Sequence, residues 1–392
     1  MIPISSLNVK ALEFIQTKID NKTKPLGALG ALEPLALQLA LITEQRHQKS
    51  LDFNRADFSN SDLKRSGQIS INNPIMLVFA GDHGINDHNV SIAPSAVTKQ
   101  MVINFLRGGA AINCFCQSND IALTVIDCGI LQPISPDEAP QSAGDAMNSV
   151  NFIEQRLGAG TSDFSVQSAM SIIQVEQGFD YARQLVDAQV DQGAEILLLG
   201  EMGIANTSSA AALMSALTLF SVQECVGRGT GITDEQLEKK IALIESALQR
   251  VKISENNFEN LTQDEIISLL SELGGFEIVQ MVSAILSAAT ASIPVVIDGF
   301  IVSVAALVAQ RLDKNVANYL IFSHVSQEHA HQILLEELIS AQTFNESSSQ
   351  PLLNLGLRLG EGTGAALALP LIKASASFYN NMASFESAGV TV

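Results

Sequence analysis

The stretch Ile75–Gly84, IMLVFAGDHG, decides the fold class of this 392-residue chain. An unbroken apolar run from Ile75 to Ala80 ends abruptly in Gly-Asp-His-Gly. A short, continuous apolar run is typical of a strand that is buried on both faces, and parallel sheets bury both faces of their strands. The stretch therefore predicts a strand of a parallel sheet with polar side chains just beyond its carboxyl end.

Further runs repeat the pattern of a short apolar strand followed by glycine or polar residues. They are Ala122–Ile126, Ile196–Leu199, Val295–Ile297 and Tyr319–Phe322. Helical patterns lie between them, at 95–117, 166–193, 205–219, 234–250, 276–291, 300–312 and 327–341. This alternation predicts an α/β fold of three Rossmann-like layers, in which helices cover both faces of a parallel sheet and the crossovers are right-handed.

Acidic residues follow several of the predicted strands. They are Asp82, Asp127, Glu201 and Asp298. Each one alone is more typical of a turn or a helix cap than of catalysis. Ligands of parallel α/β sheets bind beyond the carboxyl ends of the strands, however, and these ends meet at one edge. The repeated pattern therefore favours a shared site at that edge.

The chain ends and one inner segment complete the outline. Residues 5–20 and 29–44 look helical and are joined by a turn at Lys24–Gly27. Residues 48–69 form a polar insertion, within which a five-residue repeat runs through LDFNR-ADFSN-SDLKR. The uncharged segment between Glu277 and Asp298 is long enough to cross a bilayer, but its small residues and its proline favour a buried helix followed by a buried strand.

Composition excludes some classes of partner. The formal net charge of −19 argues against nucleic acid and anionic membranes, because both are themselves negative. The four cysteines are interpreted as reduced thiols of a cytosolic core, since their spacing suits neither a disulfide framework nor a metal site. The start of the chain carries no pattern of an export signal, so we expect a cytoplasmic protein.

The stretch Leu355–Leu371, LGLRLGEGTGAALALPL, is the first candidate for a functional site. Glu361 stands among three glycines, close to Arg358 and just before a predicted buried helix for which Thr363 is a plausible N-cap. A glutamate in this place can simply complement the helix dipole. The combination of an arginine, a glutamate and three glycines nevertheless favours a site, because glycines allow a ligand to approach the backbone.

The loop Gly227–Gly231, GRGTG, is the second candidate. It precedes a predicted helix that Thr233 or Asp234 can cap, so its free backbone amides, Arg228 and Lys240 could converge on one phosphate. An ordinary turn between helices explains the loop equally well. No stretch of the chain completes a dinucleotide fingerprint or a P-loop.

Several longer blocks together resemble one enzyme family, the nicotinate-nucleotide:dimethylbenzimidazole phosphoribosyltransferases. The blocks run in the family's order over nearly the whole chain: KPLGALGALEPLALQLA (24–40), AGDHGI (80–85), APSAVTKQMVINFLRGGAAINCFC (93–116), GEMGIANTSSAAAL (200–213), GRGTGITDEQLEKKIALI (227–244), LGGFEIVQMVSAIL (273–286), IPVVIDGF (293–300) and LGLRLGEGTGAALALPLI (355–372). The resemblance implies transfer of ribose 5-phosphate from nicotinate mononucleotide to 5,6-dimethylbenzimidazole, giving α-ribazole 5′-phosphate and nicotinate.

The resemblance also implies an organisation of the chain. It suggests a large α/β catalytic domain at 70–342 and a smaller helical domain built from residues 1–47 and 352–392. The polar insertion then lies at 48–69, between the two parts. A homodimer is implied as well.

Matching motifs carry residue roles onto this sequence. Glu361 in RLGEGTGAAL corresponds to the general base of the family, and Glu201 in GEMG corresponds to its second active-site carboxylate. Around the phosphate and ribose the resemblance suggests Gly203, Gly227, Arg228, Gly229, Lys240, Asp298, Ser323 and Arg358. Around the acceptor base it suggests Asp82, His83, Ala93, Met101 and Leu359. Some members have Ser and Gln where this chain has Ala93 and Met101, which leaves the choice of acceptor base open.

The chemistry of this reaction suits two carboxylates. Nicotinate joined to ribose is a pyridinium, so it leaves with a restored lone pair and needs no general acid. A base for the acceptor N–H and negative charge near an oxocarbenium-like ribose are sufficient. No predicted strand ends in Asp-Asp, so we expect neither a metal nor another cofactor. Two alternatives stay open: a catalytically idle relative that binds an azole or its riboside, and transfer to another acceptor such as adenine or a phenol.

Overall fold

The computed structural model describes residues 3–50, 67–135, 137–138, 150–229, 231–252, 261–344 and 350–391. In this part of the chain, six strands form one sheet in the order β3-β2-β1-β4-β5-β6, and every pair of neighbours is parallel. The strands are β1 Pro74–Gly81, β2 Ala122–Gly129, β3 Asn151–Glu154, β4 Ile196–Met202, β5 Val295–Ile297 and β6 Leu320–Phe322. The predicted α/β fold with a parallel sheet is confirmed.

Helices surround the sheet on both faces. They are α1 Leu12–Asp20, α2 Leu32–Ser50, α3 Ala96–Leu106, α4 Ala111–Ser118, α5 Ile172–Asp191, α6 Asn206–Leu217, α7 Val222–Cys225, α8 Asp234–Val251, α9 Gln263–Leu273, α10 Phe276–Thr290, α11 Phe300–Leu312, α12 His329–Ser340, α13 Thr363–Asn381 and α14 Phe385–Ala388. Short 3-10 turns occur at Val9–Ala11, Gly84–His88 and Lys314–Tyr319.

Strand β1 lies at the centre of the sheet, as its apolar run predicts. It pairs with β2 on one side and with β4 on the other, and nearly all of its residues are buried. The chain moves outward from β1 to β2 and β3, and then returns to β4 on the other side of β1. Such a reversal of strand order opens a crevice at the carboxyl ends of the two central strands, where ligands of open α/β sheets bind.

The apolar segment between Glu277 and Asp298 is a buried helix followed by a strand, as predicted. Helix α10 packs against α5, α11 and the central strands, and β5 follows it. Within the described residues, no helix has the length and apolar character that a membrane span requires.

Three expectations about elements differ from the structure. The pattern at 95–117 is two helices, α3 and α4, because Gly108 adopts a left-handed φ of 77° that breaks the helix. Residues 5–8 are not helical, and α1 begins only at Leu12. Strand β3 and helix α9 were not predicted; β3 is a four-residue edge strand without fully buried residues, so it lacks an apolar signal. The five-residue repeat of the polar insertion lies outside the described residues.

The two ends of the chain lie together. Helix α2 packs on α1 and on α13, and backbone bonds join Thr23 N to Ala383 O over 3.0 Å and Phe385 N to Asn21 O over 3.0 Å. These contacts agree with one helical part built from both termini, although the division into domains stays a prediction. The four cysteines are free thiols, and Cys114 is exposed rather than part of the core.

Candidate active site at the carboxyl edge of the sheet

Two buried glutamates come together beyond the end of β4. Glu201 belongs to the strand itself, whereas Glu361 lies in the loop that leads into α13. The loop packs directly on the strand: a Cβ added to Gly200 would lie 2.5 Å from Gly362 N and 2.6 Å from the carbonyl carbon of Glu361. A Cβ on Gly360 would likewise lie 2.5 Å from Glu201 Oε1. The glycines thus allow the loop that carries Glu361 to pack against the strand that carries Glu201.

The backbone of Glu361 is held in an unusual conformation. Its φ of 63° lies in the left-handed region, which residues other than glycine rarely adopt. Ala205, which lies between β4 and α6, also has a left-handed φ, of 72°. Such residues cost free energy and concentrate at functional sites. The Glu361 side chain is buried, one of its oxygens accepts a hydrogen bond from the Ile112 backbone, and Oε2 has no hydrogen-bond partner among the described residues.

Asp298 holds the start of α13. Its Oδ2 accepts a hydrogen bond from Gly362 N over 3.1 Å, and its Oδ1 accepts one from Ala365 N over 3.0 Å. The predicted N-cap Thr363 is therefore wrong: Thr363 is the first helical residue, and its hydroxyl donates to Gly360 O over 2.8 Å. The carboxylate of Asp298, which directly follows β5, replaces the local cap because the left-handed Gly362 occupies the cap position.

Burial dominates the ionisation of these acids. It raises the pKa of Glu201 to about 8, helped by repulsion from Asp298, Glu277 and Glu361 and opposed by a hydrogen bond from Asn206. It raises the pKa of Glu361 to about 7 and that of Asp298 to about 7. At Glu361 burial therefore prevails over the helix N-terminus, and Arg358 is not among the causes of the pKa shift.

A second buried charged group lies beyond the end of β1. His83 Nε2 and Glu277 Oε1 are 2.8 Å apart, and both side chains are fully buried. Burial alone would lower the pKa of His83, but Glu277 and Asp82 raise it above its ordinary value. Asp82 accepts a hydrogen bond from Leu131 N over 2.8 Å, and burial raises its pKa. This group adds further carboxylates to the same edge of the sheet.

Cationic and glycine-rich elements gather near the first turn of α6. The buried Lys240 donates from Nζ to Thr207 Oγ1 over 2.8 Å, and a Cβ on Gly229 would contact the same hydroxyl at 3.7 Å. Burial lowers the pKa of Lys240 to about 8, and Glu328 opposes this shift. The loop that begins at Gly227 therefore lies beside a lysine and a helix N-terminus, which suits an anion.

The two arginines predicted near the phosphate lie at the surface. Arg228 forms an ion pair with Asp234 and donates to Ile232 O over 3.1 Å, so its side chain is engaged outside the crevice. Arg358 is exposed and lowers the pKa of Glu328 through its charge. Thr233 caps α8, as predicted, by accepting from Gln236 N over 3.2 Å. Thr230 lies outside the described residues.

The remaining predicted site residues differ in burial and in their contacts. Ser323 is buried after β6, where its hydroxyl lies 3.3 Å from Asp298 O and 2.9 Å from His324 Nδ1. Gly203 packs so closely on β1 that an added Cβ would overlap Gly81 O. The residues predicted around the acceptor base are less uniform, because Ala93 and Met101 are half-buried whereas Leu359 is exposed.

Sequence reasoning missed several residues that the structure places here. Asn206 and Thr207 lie within the GEMGIANTSSAAAL block, and Glu277 lies within LGGFEIVQMVSAIL. Both blocks were recognised as similar to the family, but these three residues were not identified as part of the site. His324 and Glu328 lie in the polar stretch SHVSQEHAH, which has no distinctive pattern. Asp298 was identified as a site residue, but its hydrogen bonds to the start of α13 were not predicted. Its partners, Gly362 and Ala365, lie 64 and 67 positions away in the chain.

The arrangement can place a base and negative charge beside a bound anion. Glu361 and Glu201 supply two carboxylates of raised pKa, and the α6 N-terminus with Lys240 supplies a cationic region. Among the described residues, no three or more His, Cys, Asp and Glu side chains are grouped so as to hold a metal ion.

Comparisons with known proteins agree on one family. The phosphoribosyltransferase family model DBI_PRT matches residues 4–390. A nicotinate-nucleotide–dimethylbenzimidazole phosphoribosyltransferase of Vibrio campbellii is 52% identical over 378 residues, covering 96% of this chain and 98% of the relative. A protein of the same name from Shewanella frigidimarina is 51% identical over 379 residues, covering 96% and 95%.

A solved structure agrees with the relatives. The crystal structure of CobT from Thermus thermophilus superimposes with a TM-score of 0.80 at 33% identity, covering 97% of this chain and 99% of that chain. The similarity thus extends over the sheet, the helices at both termini and the crevice.

Proposed function

The chain belongs to the DBI_PRT phosphoribosyltransferase family, and we propose that it transfers ribose 5-phosphate from nicotinate mononucleotide to 5,6-dimethylbenzimidazole. The products are α-ribazole 5′-phosphate and nicotinate. The observation that carries the proposal is the meeting of the buried Glu201 and Glu361 at the crevice between the central strands. Family membership names the reaction, and this pair of carboxylates supplies what its chemistry needs.

Glu361 is the general base of the proposed mechanism. Its Oε2 is buried and has no hydrogen-bond partner among the described residues, so it is free to accept the proton of the benzimidazole N–H. A pKa of about 7 means that the carboxylate is substantially ionised at neutral pH yet basic enough to take a proton, the compromise that general-base catalysis favours.

The bond changes balance without an acid. The benzimidazole nitrogen forms a bond to C1′ while the bond from C1′ to the pyridinium nitrogen breaks, and its electron pair restores neutral nitrogen in the nicotinate ring. The N–H proton goes to Glu361. Attack opposite the leaving group inverts C1′ and converts the β-glycosidic bond into an α one. Glu201, close to the same place, stabilises the positive charge that develops on the ribose once it is ionised.

The nucleotide phosphate binds in this proposal near the start of α6. Gly227 and Gly229 allow a close approach to the backbone, Lys240 supplies a charge, and Gly203 lets the end of β4 pack against β1 beside this region. Arg228 and Arg358 lie at the mouth of this region and must turn from their present surroundings to reach a phosphate. Asp298 and Ser323 act on the other side of the crevice, where Asp298 orients the loop that carries Glu361.

The acceptor base binds beyond β1 in the proposal. Asp82 and His83 form the floor, and Ala93, Met101 and Leu359 line the wall and rim. The pair of His83 and Glu277 is fully buried, and a single contact of 2.8 Å joins the two side chains. Adenine and phenols are the alternative acceptors, because this chain has Ala93 and Met101 where some family members have Ser and Gln. We further propose that the enzyme is a cytoplasmic homodimer.

The test is an incubation of the purified protein with nicotinate mononucleotide and a panel of dimethylbenzimidazole, adenine and a phenol. Product mass identifies the acceptor, and NMR identifies the anomeric configuration. We expect an α-riboside phosphate of dimethylbenzimidazole, with equal turnover in EDTA because the leaving group needs no metal. A β product, or turnover that EDTA abolishes and Mg²⁺ restores, contradicts the mechanism. Absence of transfer to every acceptor contradicts the function.

A further inference from the structure

The loop at Gly227–Gly229 already holds an anionic side chain of the protein itself. Glu328, the residue just before α12, lies so close to Gly227 that an added Cβ would overlap its Oε2. The same carboxylate accepts a hydrogen bond from the Gly229 backbone. A half-buried carboxylate therefore lies where the glycines permit the closest approach to the backbone.

The surroundings of Glu328 are those expected of a phosphate. Lys240 and Arg358 both favour its ionised form, although burial raises its pKa overall. Lys240 is buried and bound to Thr207 in the first turn of α6, a helix that lacks a side-chain N-cap. Backbone N–H groups, a lysine and a helix N-terminus bind carboxylates and phosphates by the same contacts.

We propose that the Glu328 carboxylate occupies the phosphate site of the ligand-free protein and that the phosphate of the incoming nucleotide displaces it. This inference rests on the proposed function, because it takes a phosphorylated nucleotide as the substrate. A phosphate monoester brings more negative charge and more acceptor oxygens than one carboxylate, so it competes successfully for Lys240 and Arg358. A riboside without phosphate leaves Glu328 in place and gains nothing from these cations.

Only the side chain of Glu328 needs to move. The backbone around it is fixed, since Gln327 N donates to Leu357 O over 3.0 Å and Glu328 N donates to Ser326 Oγ over 3.3 Å. Helix α12 begins at the next residue. The displaced carboxylate can therefore turn away by rotation about its side-chain bonds while the loop keeps its shape.

The test compares wild type with Glu328→Gln, which keeps the shape of the side chain and removes its charge. Binding is measured by calorimetry at pH 7 with nicotinate mononucleotide, inorganic phosphate and the unphosphorylated nicotinate riboside as separate probes. If the carboxylate fills the site about nine-tenths of the time, its removal tightens binding about 10-fold, because apparent affinity scales with the free fraction of the site. Glu336→Gln, an exposed change on the same helix, is the control for charge.

We expect Glu328→Gln to bind the mononucleotide and inorganic phosphate more tightly, with riboside affinity unchanged. Unchanged or weaker mononucleotide binding by the folded variant overturns the inference. Glu328→Ala, expected to act in the same direction, decides the question if thermal melting shows that the Gln variant is not folded. A transfer assay on the wild-type protein separates the two proposals: transfer with no tightening in the variants overturns only this inference, whereas absence of transfer overturns the proposed function.

Discussion

At the scale of single residues, burial sets the pKa values of the two site glutamates, because its effect is larger than that of the groups that stabilise their ionised forms. Glu361 lies at a helix N-terminus, which favours its ionised form, yet its pKa is raised to about 7 because the side chain is removed from water. The pKa of Glu201 is raised to about 8 for the same reason, with added repulsion from nearby acids. Both pKa values therefore lie close to neutral pH.

These raised pKa values predict the pH dependence of turnover. A base must be ionised to act, so kcat at saturating nucleotide should rise up to about tenfold per pH unit below the pKa of about 7 and level off above about 8. Saturation removes the ionisation of the nucleotide phosphate from the comparison. The profile is measured from about pH 5.5 to about 9, a range that spans both pKa values. A rate that stays constant across the acid half of this range contradicts an assignment of Glu361 as the base.

Lys240 is predicted to contribute to binding of the mononucleotide and not to binding of dimethylbenzimidazole. A charge-assisted contact is typically worth about 1.5–3 kcal/mol, so Lys240→Ala should weaken mononucleotide binding roughly 10- to 100-fold and leave dimethylbenzimidazole binding unchanged. Lys239→Ala removes the same charge from the exposed neighbouring position and is the control. Equal mononucleotide affinity for wild type and Lys240→Ala in calorimetry would contradict the assignment of Lys240 to the phosphate site.

At the scale of elements, the end of β4 and the start of α13 form one unit. Gly200 has no room for a side chain because Glu361 and Gly362 pack on it, and Asp298 from the neighbouring strand binds the first turn of α13 through two backbone amides. The left-handed φ of Glu361 is maintained by these contacts. The position of the base thus depends on the fit between a strand and a helix distant in sequence.

Gly200→Ala tests this fit. The added methyl group overlaps the backbone of Glu361 and Gly362, so the loop must shift; we expect a loss of kcat on the order of 100-fold, as for a displacement of about 1 Å. Overpacking should also cost about 1–3 kcal/mol of unfolding free energy. Gly299→Ala at the same edge is the control, because its Cβ would meet only the His324 ring, with Cε1 at 3.8 Å. Normal kcat in Gly200→Ala contradicts the packing argument.

Elements were more predictable from the sequence than their contacts. Buried strands such as β1 and β4 are recognisable as apolar runs. The glycines around Glu361 were interpreted as room for a ligand, whereas in the structure protein atoms pack against them, Glu201 at Gly360 and Met76 at Gly362. The edge strand β3 carries no apolar run and was missed. The cap of α13 was wrongly assigned to Thr363, because local sequence cannot reveal a cap that comes from Asp298.

At the scale of the whole molecule, an acidic chain concentrates acids in its interior as well as on its surface. The formal net charge is −19, and the crevice contains Asp82, Glu201, Glu277, Asp298 and Glu361, all buried. A substrate that is itself anionic must therefore be met by local cations, and the described residues provide Lys240 beside the first turn of α6 and Arg358 near Glu328. The charge of the molecule as a whole does not attract the nucleotide; the local arrangement does.

This interior acidity predicts a stability that falls as pH rises. The pKa of Glu201 is about 8 in the folded state against an ordinary value of 4.5, so its contribution is fully present below pH 4.5 and is lost as pH rises through 8. Glu201→Gln mimics the protonated form and escapes this loss. Its unfolding free energy relative to wild type should increase by up to about 1.4 kcal/mol per pH unit within that window.

The measurement is denaturant unfolding of both proteins at several pH values between about 5 and about 8, which lie within that window. The lowered pKa values of His324 and His331 change stability at lower pH, but they are common to both proteins and cancel in the difference. Glu336→Gln, at an exposed position of α12, is the control: its unfolding free energy should change with pH in the same way as that of wild type. A difference between Glu201→Gln and wild type that does not change with pH contradicts the raised pKa.

The central claim is that Glu361 removes the proton of the acceptor, and Glu361→Gln tests it most directly. Glutamine keeps the shape of the side chain and removes its basicity. Single-turnover kinetics with nicotinate mononucleotide and dimethylbenzimidazole should show the rate of transfer reduced by roughly 10²–10⁴-fold, the usual range for loss of a general base. Thermal melting and mononucleotide affinity should stay close to wild type. A folded variant that binds the mononucleotide and transfers at a near-normal rate contradicts the account.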